Sequence, residues 1–205
     1  MSRRMRIGGA LLAAGLVMVS QVQADDSGVA VLAGGCFWCI EHDLEGKPGI
    51  IDVVSGYAGG KSTTANYKAV STGRTDHIEV VEVRFNPEQL SYAALLDLFW
   101  RAIDPTDGGG QFCDRGPQYR PAIFALNEKQ ARIAEDSKAA LEASGWLPAP
   151  VAVEILPAAR FYKAEAGHQN YAERNTLRYK YYRISCGRDA RVREVWAKAP
   201  PVDAH

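Results

Sequence analysis

A chain of 205 residues that is 47% apolar can bury one sizeable core and fits a single domain. Its 24 basic and 24 acidic side chains cancel to a formal charge of zero. There is thus no electrostatic reason to expect a nucleic acid or an anionic membrane surface as the main partner.

The first segment stands apart. Arg3, Arg4 and Arg6 precede an apolar run over residues 10–19, and Val22-Gln23-Ala24 then leads into Asp25-Asp26. This is the layout of a secretory signal peptide, 1–24, cleaved after Ala24, and the apolar run is shorter than the roughly 20 residues of a membrane span. The paired arginines also resemble a twin-arginine leader. The mature chain is therefore expected in the periplasm, without a stable membrane anchor. Export would put Cys36, Cys39, Cys113 and Cys186 in an oxidising compartment, where four cysteines can pair in three ways.

Residues 29–32 read as a strand, Gly34-Gly35 allows a sharp turn, and Phe37, Ile40 and Leu44 recur at helical spacing. Cys36 sits where that helix begins. The free amides and positive dipole end of a helix favour anions, so a thiol with an ordinary pKa of about 8.5 is expected to be partly ionised near neutral pH. Cys36 is thereby a candidate nucleophile. A second strand follows over 50–54, and the glycine-rich stretch 56–73, with Asn66-Tyr67 inside it, reads as a long polar loop of the kind that is usually functional or disordered. In the strand over 77–85, alternation puts Glu79 on the face of Val81, Val83 and Phe85. A carboxyl among apolar side chains has its charged form disfavoured, which suits a proton donor. Ile78 and Val80 make the first half of the strand apolar on both faces, so the inward side stays open.

Ser91 caps a helix whose core stripe is Tyr92, Leu95, Leu96, Phe99 and Ile103. Residues 104–120 continue as loop, carrying Cys113, Asp114 and Tyr119. A short strand follows at 121–125, then a helix from the Asn127/Gln130 capping pair to about Ser144, and a strand over 151–156. The order is that of a split βαβ, which makes the fold α+β: a two-layer sandwich around a ferredoxin-like core. A single domain is expected over 25–186, with a loop-rich C-terminal extension and a mobile tail over 187–205.

Gly35-Cys36-Phe37-Trp38 opening a helix after a strand resembles the signature of A-type peptide methionine sulfoxide reductases. Six further segments look like theirs, among them Gly56-Tyr57-Ala58-Gly59-Gly60, His77-Ile78-Glu79, Gly116-Pro117-Gln118-Tyr119-Arg120 and His168-Gln169-Asn170-Tyr171. The resemblance covers 33–183. It implies reduction of the S epimer of methionine sulfoxide, free or in oxidised proteins and peptides, without metal or organic cofactor. Cys36 would be the nucleophile, Glu79 the acid, and Tyr67, Asp114 and Tyr119 the polar groups around the sulfoxide oxygen. Phe37 and Trp38 would seat the substrate's methyl group. The Cys36 sulfenic acid would condense with a second thiol, and a thioredoxin-like dithiol would reduce the resulting disulfide. Cys186 is preferred as that second thiol, because it precedes a tail able to swing and because such enzymes commonly resolve from that end. Cys39, one helical turn from Cys36, remains an alternative. Lone His168 and the Tyr179–Tyr182 run read as ordinary packing. Rival readings are a thioredoxin-like Cys-x-x-Cys oxidoreductase and a zinc-bound module using the four cysteines.

Overall fold

The computed structural model describes residues 28–201, so the expected leader lies outside the described residues. Strand β1 (Gly28–Ala33) leads through the Gly34-Gly35 turn into α1 (Phe37–Leu44), and β2 (Ile50–Ala58) follows. The turn requires glycine at position 35, where φ is +86° and a Cβ would lie 2.5 Å from the Gln111 side chain. Helix α2 (Tyr67–Val70) is capped by the Asn66 carboxamide, which accepts from the Ala69 amide at 3.1 Å. Part of the expected long loop is therefore regular structure: its start, residues 56–58, ends β2, and Tyr67 opens a helical turn.

Next come β3 (Ile78–Phe85) and α3 (Tyr92–Arg101), the latter capped by Ser91 as its sequence predicts. The hairpin β4 (Gly110–Gln111) and β5 (Asp114–Arg115) precedes β6 (Ala122–Ala125), α4 (Glu128–Ala143), β7 (Glu154–Pro157) and β8 (Tyr162–Lys163). Three helices close the described chain: α5 (Tyr171–Arg174), α6 (Thr176–Ser185) and α7 (Arg188–Val195).

The main sheet runs β7-β6-β1-β3-β2-β8. Each neighbouring pair among its four central strands is antiparallel, so β1 and β2 run parallel with β3 between them, the split βαβ order expected from the sequence, and β7 joins β6 in parallel. One face carries Leu32, Val81, Val83 and Phe85 against α1 and α3, in a core with Phe37, Ile40, Leu95 and Phe99. The other carries Val31, Ile78, Val80 and Phe124, with Leu156 and Phe161 packed against them. Both faces at the upper end of β3 are thus covered, and Glu79 points to the helical side.

The C-terminal region departs from expectation. Residues 187–201, part of the tail expected over 187–205, are folded and pinned among the described residues. Arg188 is buried, facing Asp43 at 3.3 Å and donating to the Ala102 carbonyl at 2.7 Å. Arg191 pairs with Asp104 at 2.8 Å, and the Trp196 indole donates to the Ile103 carbonyl at 3.1 Å. Gly187, at φ +66°, makes the left-handed bend between α6 and α7.

Candidate active site

Cys36 is the N-cap residue of α1, and its thiol makes no capping bond. It lies on the floor of a cavity of about 150 Å³ walled by Phe37, Trp38, Tyr67, Glu79, Asp114, Tyr119 and Tyr182. All the substrate-side residues expected from the sequence are here, although they come from α1, α2, β3, β5 and the turn after β5. The hairpin is set by buried Gln111, whose carboxamide accepts from the Asp104 amide at 2.9 Å and donates to the Asp104 carbonyl at 2.8 Å. That latch brings Asp114 to the cavity.

Glu79 is buried and accepts the Phe37 amide at 3.1 Å. Burial raises its pKa to about 8, opposed by that amide and assisted by the charge of Asp114. At neutral pH it is a carboxylic acid with a proton to give. Burial also raises the phenols of Tyr67 and Tyr119, with the Glu79 charge second, so both stay hydrogen-bond donors. Tyr182 donates to Asp114.

The electrostatics of Cys36 reverse the expectation from helix position. Its pKa is raised, first by burial, then by its hydrogen bond to Cys39 and the charges of Cys39, Glu79 and Asp114. The helix end offers less than anticipated, because the Phe37 amide is already committed to Glu79. Cys39 moves the other way, to about 7, through the Cys36 hydrogen bond, against its own burial and aided by the Arg188 charge. The two thiols form one hydrogen-bonded pair in which the first charge rests on Cys39.

Cys186 is not beside Cys36 as a free thiol. It is bonded to Cys113, with Cα atoms 5.0 Å apart, while Cys36 and Cys39 are free. In this state Cys186 is thus not a free thiol, and α7 with its buried arginine holds the segment that was expected to swing.

Several residues of the site escape a reading of the sequence. Trp38 stacks on Tyr171 with centroids 3.8 Å apart, meets Tyr182 edge-on at 6.1 Å, and donates its indole N–H to His168 Nδ1 at 3.2 Å. His168 also faces Tyr67 at 4.3 Å and Phe37 at 5.3 Å. Glu165 accepts from the Tyr57 hydroxyl and the Tyr67 amide, each at 2.8 Å, fixing the turn that carries Tyr67. Tyr182 sits within an aromatic run whose inward member no periodicity isolates. The residue types of His168-Gln169-Asn170-Tyr171 are visible in the sequence, but their contact with Trp38 is tertiary.

Residues 28–200 match the family model described as peptide methionine sulfoxide reductase. "Peptide methionine sulfoxide reductase MsrA 2" of Caulobacter vibrioides is 51% identical over 168 residues, covering 82% of this chain and 84% of that protein. Among solved structures, methionine sulfoxide reductase A of Corynebacterium diphtheriae superposes with TM-score 0.66 at 34% identity, over 76% of this chain and 78% of that one. Mxr1 of Saccharomyces cerevisiae in complex with Trx2 gives 0.50 at 26% identity, over 75% and 91%.

Proposed function

The chain belongs to the A-type peptide methionine sulfoxide reductases and is a thiol-dependent peptide-methionine (S)-S-oxide reductase, and on that premise we propose how its own residues divide the work. Cys36 attacks the sulfoxide sulfur, and its proton passes along the hydrogen bond to the Cys39 thiolate. Glu79 protonates the oxygen, which Tyr67 and Tyr119 hold as donors. Phe37 and Trp38 seat the methyl group. Methionine leaves and Cys36 carries a sulfenic acid.

Cys39 then displaces the hydroxyl group. One sulfoxide and two thiols become one thioether, one disulfide and one water. Two observations favour Cys39 over Cys186 here: Cys39 is hydrogen-bonded to Cys36 as a free thiol, and Cys186 is already bonded. The observation that carries the whole reading is the buried Glu79 sharing one small cavity with Cys36.

The reductant that reopens the disulfide is a thioredoxin-like dithiol, a reading supported by the relative solved with Trx2. The enzyme works in the periplasm, a reading supported by the residue pattern of 1–24 and compatible with a second disulfide. The deciding measurement is mass spectrometry of the protein after one turnover with a methionine S-sulfoxide peptide. A Cys36–Cys39 bridge is expected, and Cys36→Ser gives no methionine. A Cys36–Cys186 bridge with Cys39 still free would reassign the second thiol. Finding residues 1–24 retained on exported protein would remove the cleavage site.

A further inference from the structure

The reaction cycle leaves a buried acid unused. Glu41 lies one helical turn beyond Trp38 on α1 and is 1% exposed, yet neither of its carboxylate oxygens closes a hydrogen bond. A buried carboxyl without a partner is costly, so its place in the core needs a physical reason.

The groups it faces supply one. The backbone amides of Asn170 and Tyr171 and the Ser55 hydroxyl favour its ionised form, and the Ser55 hydroxyl is itself buried without a partner. These amides belong to the segment that holds Trp38. His168 accepts the Trp38 indole N–H at 3.2 Å, and the Tyr171 ring stacks on Trp38 at 3.8 Å. Between them, Gln169 is clamped to β2: its carboxamide accepts from the Ser55 amide at 3.1 Å and donates to the Ser55 and Ala164 carbonyls, each at 2.9 Å. Asn170 then turns the chain in the left-handed region, at φ +50°, and its own side chain caps nothing. The aromatic wall of the cavity is therefore tied to the sheet on one side of that turn and faces Glu41 on the other.

We propose that Glu41 is a positioning residue for the methyl pocket: its carboxylate draws in the Asn170 and Tyr171 amides, which holds the Tyr171 ring against Trp38 and keeps Trp38 set for substrate. The inference rests on the reading that Phe37 and Trp38 seat the substrate's methyl group. A carboxylate is a stronger acceptor than a neutral acid, so protonation of Glu41 slackens the clamp. Burial raises its pKa to about 7, opposed by the Asn170 amide, assisted by the Glu45 charge at the end of α1, and opposed again by the Tyr171 amide and the Ser55 hydroxyl. Glu45 in turn feels the charges of Glu173 on α5 and Asp52 on β2. Seating of the substrate is thereby tied to pH.

The test measures, by calorimetry, the binding of a methionine S-sulfoxide peptide that has no group titrating between pH 6 and 8. The parent protein carries Cys36→Ser and Cys39→Ser, so it does not turn over and neither position titrates. Glu79 and His168 titrate alike in the parent and its variants, so ratios of dissociation constants isolate position 41. Glu41→Gln keeps the shape and one acceptor oxygen but no charge; it is expected to bind as tightly as the parent at pH 6 and about 3-fold or more weakly at pH 8. Glu41→Leu keeps the volume without an acceptor and is expected to weaken binding about 10-fold at pH 8. It should melt no lower than the parent, because an apolar group replaces an unpartnered carboxyl. With both thiols restored, the same substitutions should raise KM and leave kcat little changed. A Glu41→Gln ratio of one at both pH values, or an equal weakening at both, overturns the proposal and leaves the reductase reading standing. A peptide that the wild-type enzyme neither binds nor reduces removes that reading instead.

Discussion

The Phe37 amide donates to Glu79 Oε2 at 3.1 Å, which ties the first turn of the helix bearing the nucleophile to the strand bearing the acid. A single bond therefore fixes the separation of the two reacting groups, and it also takes up the amide that would otherwise have stabilised a thiolate at Cys36. The site trades an ionised nucleophile for a positioned acid.

Glu79→Gln keeps an acceptor for that amide and removes the proton. Turnover is expected to fall by about 10²- to 10⁴-fold, the usual contribution of general acid catalysis. Stability should move the other way. The folded-state pKa of Glu79 is raised from 4.5 to about 8, so its favourable contribution is complete below 4.5 and lost as pH rises through about 8. Thermal melts should show the Glu79→Gln variant matching or exceeding wild type at pH 9, and a lower melting temperature for the variant at that pH would count against burial as the cause. The wild-type rate, read as a pH profile, should decline through about pH 8.

Cys39→Ser separates reduction from resolution. One methionine per chain should still form, but the product should be a Cys36 sulfenic acid, detectable with a sulfenic-acid trap, instead of a bridge. In the wild type the rate of bridge formation should rise with pH, because the thiolate of Cys39 is the attacking species. Bridge formation at the wild-type rate in the variant would show that another thiol resolves.

How much of this is legible in the sequence depends on the kind of interaction. The strand, two-glycine turn and helix around Cys36 can be read because the apolar period changes there, and the facing of Glu79 follows from alternation along β3. The ionisation of Cys36 is not legible, because helix position is local, whereas burial and the charges of Glu79 and Asp114 are brought in from β3 and β5. The Cys113–Cys186 pairing is one of three possibilities that spacing does not separate. Helix α7 has the sequence of a tail because Arg188, Arg191 and Arg193 give it charge on every face. Its anchors are a buried guanidinium and the indole of Trp196, not an apolar stripe.

His168 is expected to act on substrate seating through Trp38. Burial lowers its pKa, opposed by Glu165, so the ring is neutral at pH 7 and Nδ1 accepts the indole N–H. His168→Phe preserves a ring beside Tyr67 and removes the acceptor. The loss of one such hydrogen bond, about 1 kcal/mol, should raise KM about 5-fold with kcat little changed. In the wild type the same KM rise should appear on acidification, as protonated Nδ1 ceases to accept. A fall in kcat at constant KM would place the residue in the chemical step instead.

The pinned C-terminal segment makes the opposite prediction from a tail. Trp196 is 8% exposed, donates to the Ile103 carbonyl, and lies under the Arg101 guanidinium at 4.4 Å. Trp196→Ala removes a buried indole and its hydrogen bond from the wall between α3 and α7, and a cost of about 3 to 5 kcal/mol follows from the usual range for such truncations. For a domain of this size that lowers the melting temperature by roughly 10 °C. Removing residues 188–205 should cost more still, because Asp43 and Asp104 lose Arg188 and Arg191 and are left facing the protein with no partner from α7. Melting curves of the two variants decide it: an unchanged midpoint in the truncated chain would return these residues to the status of a dispensable tail, and a drop in both, larger in the truncation, is expected.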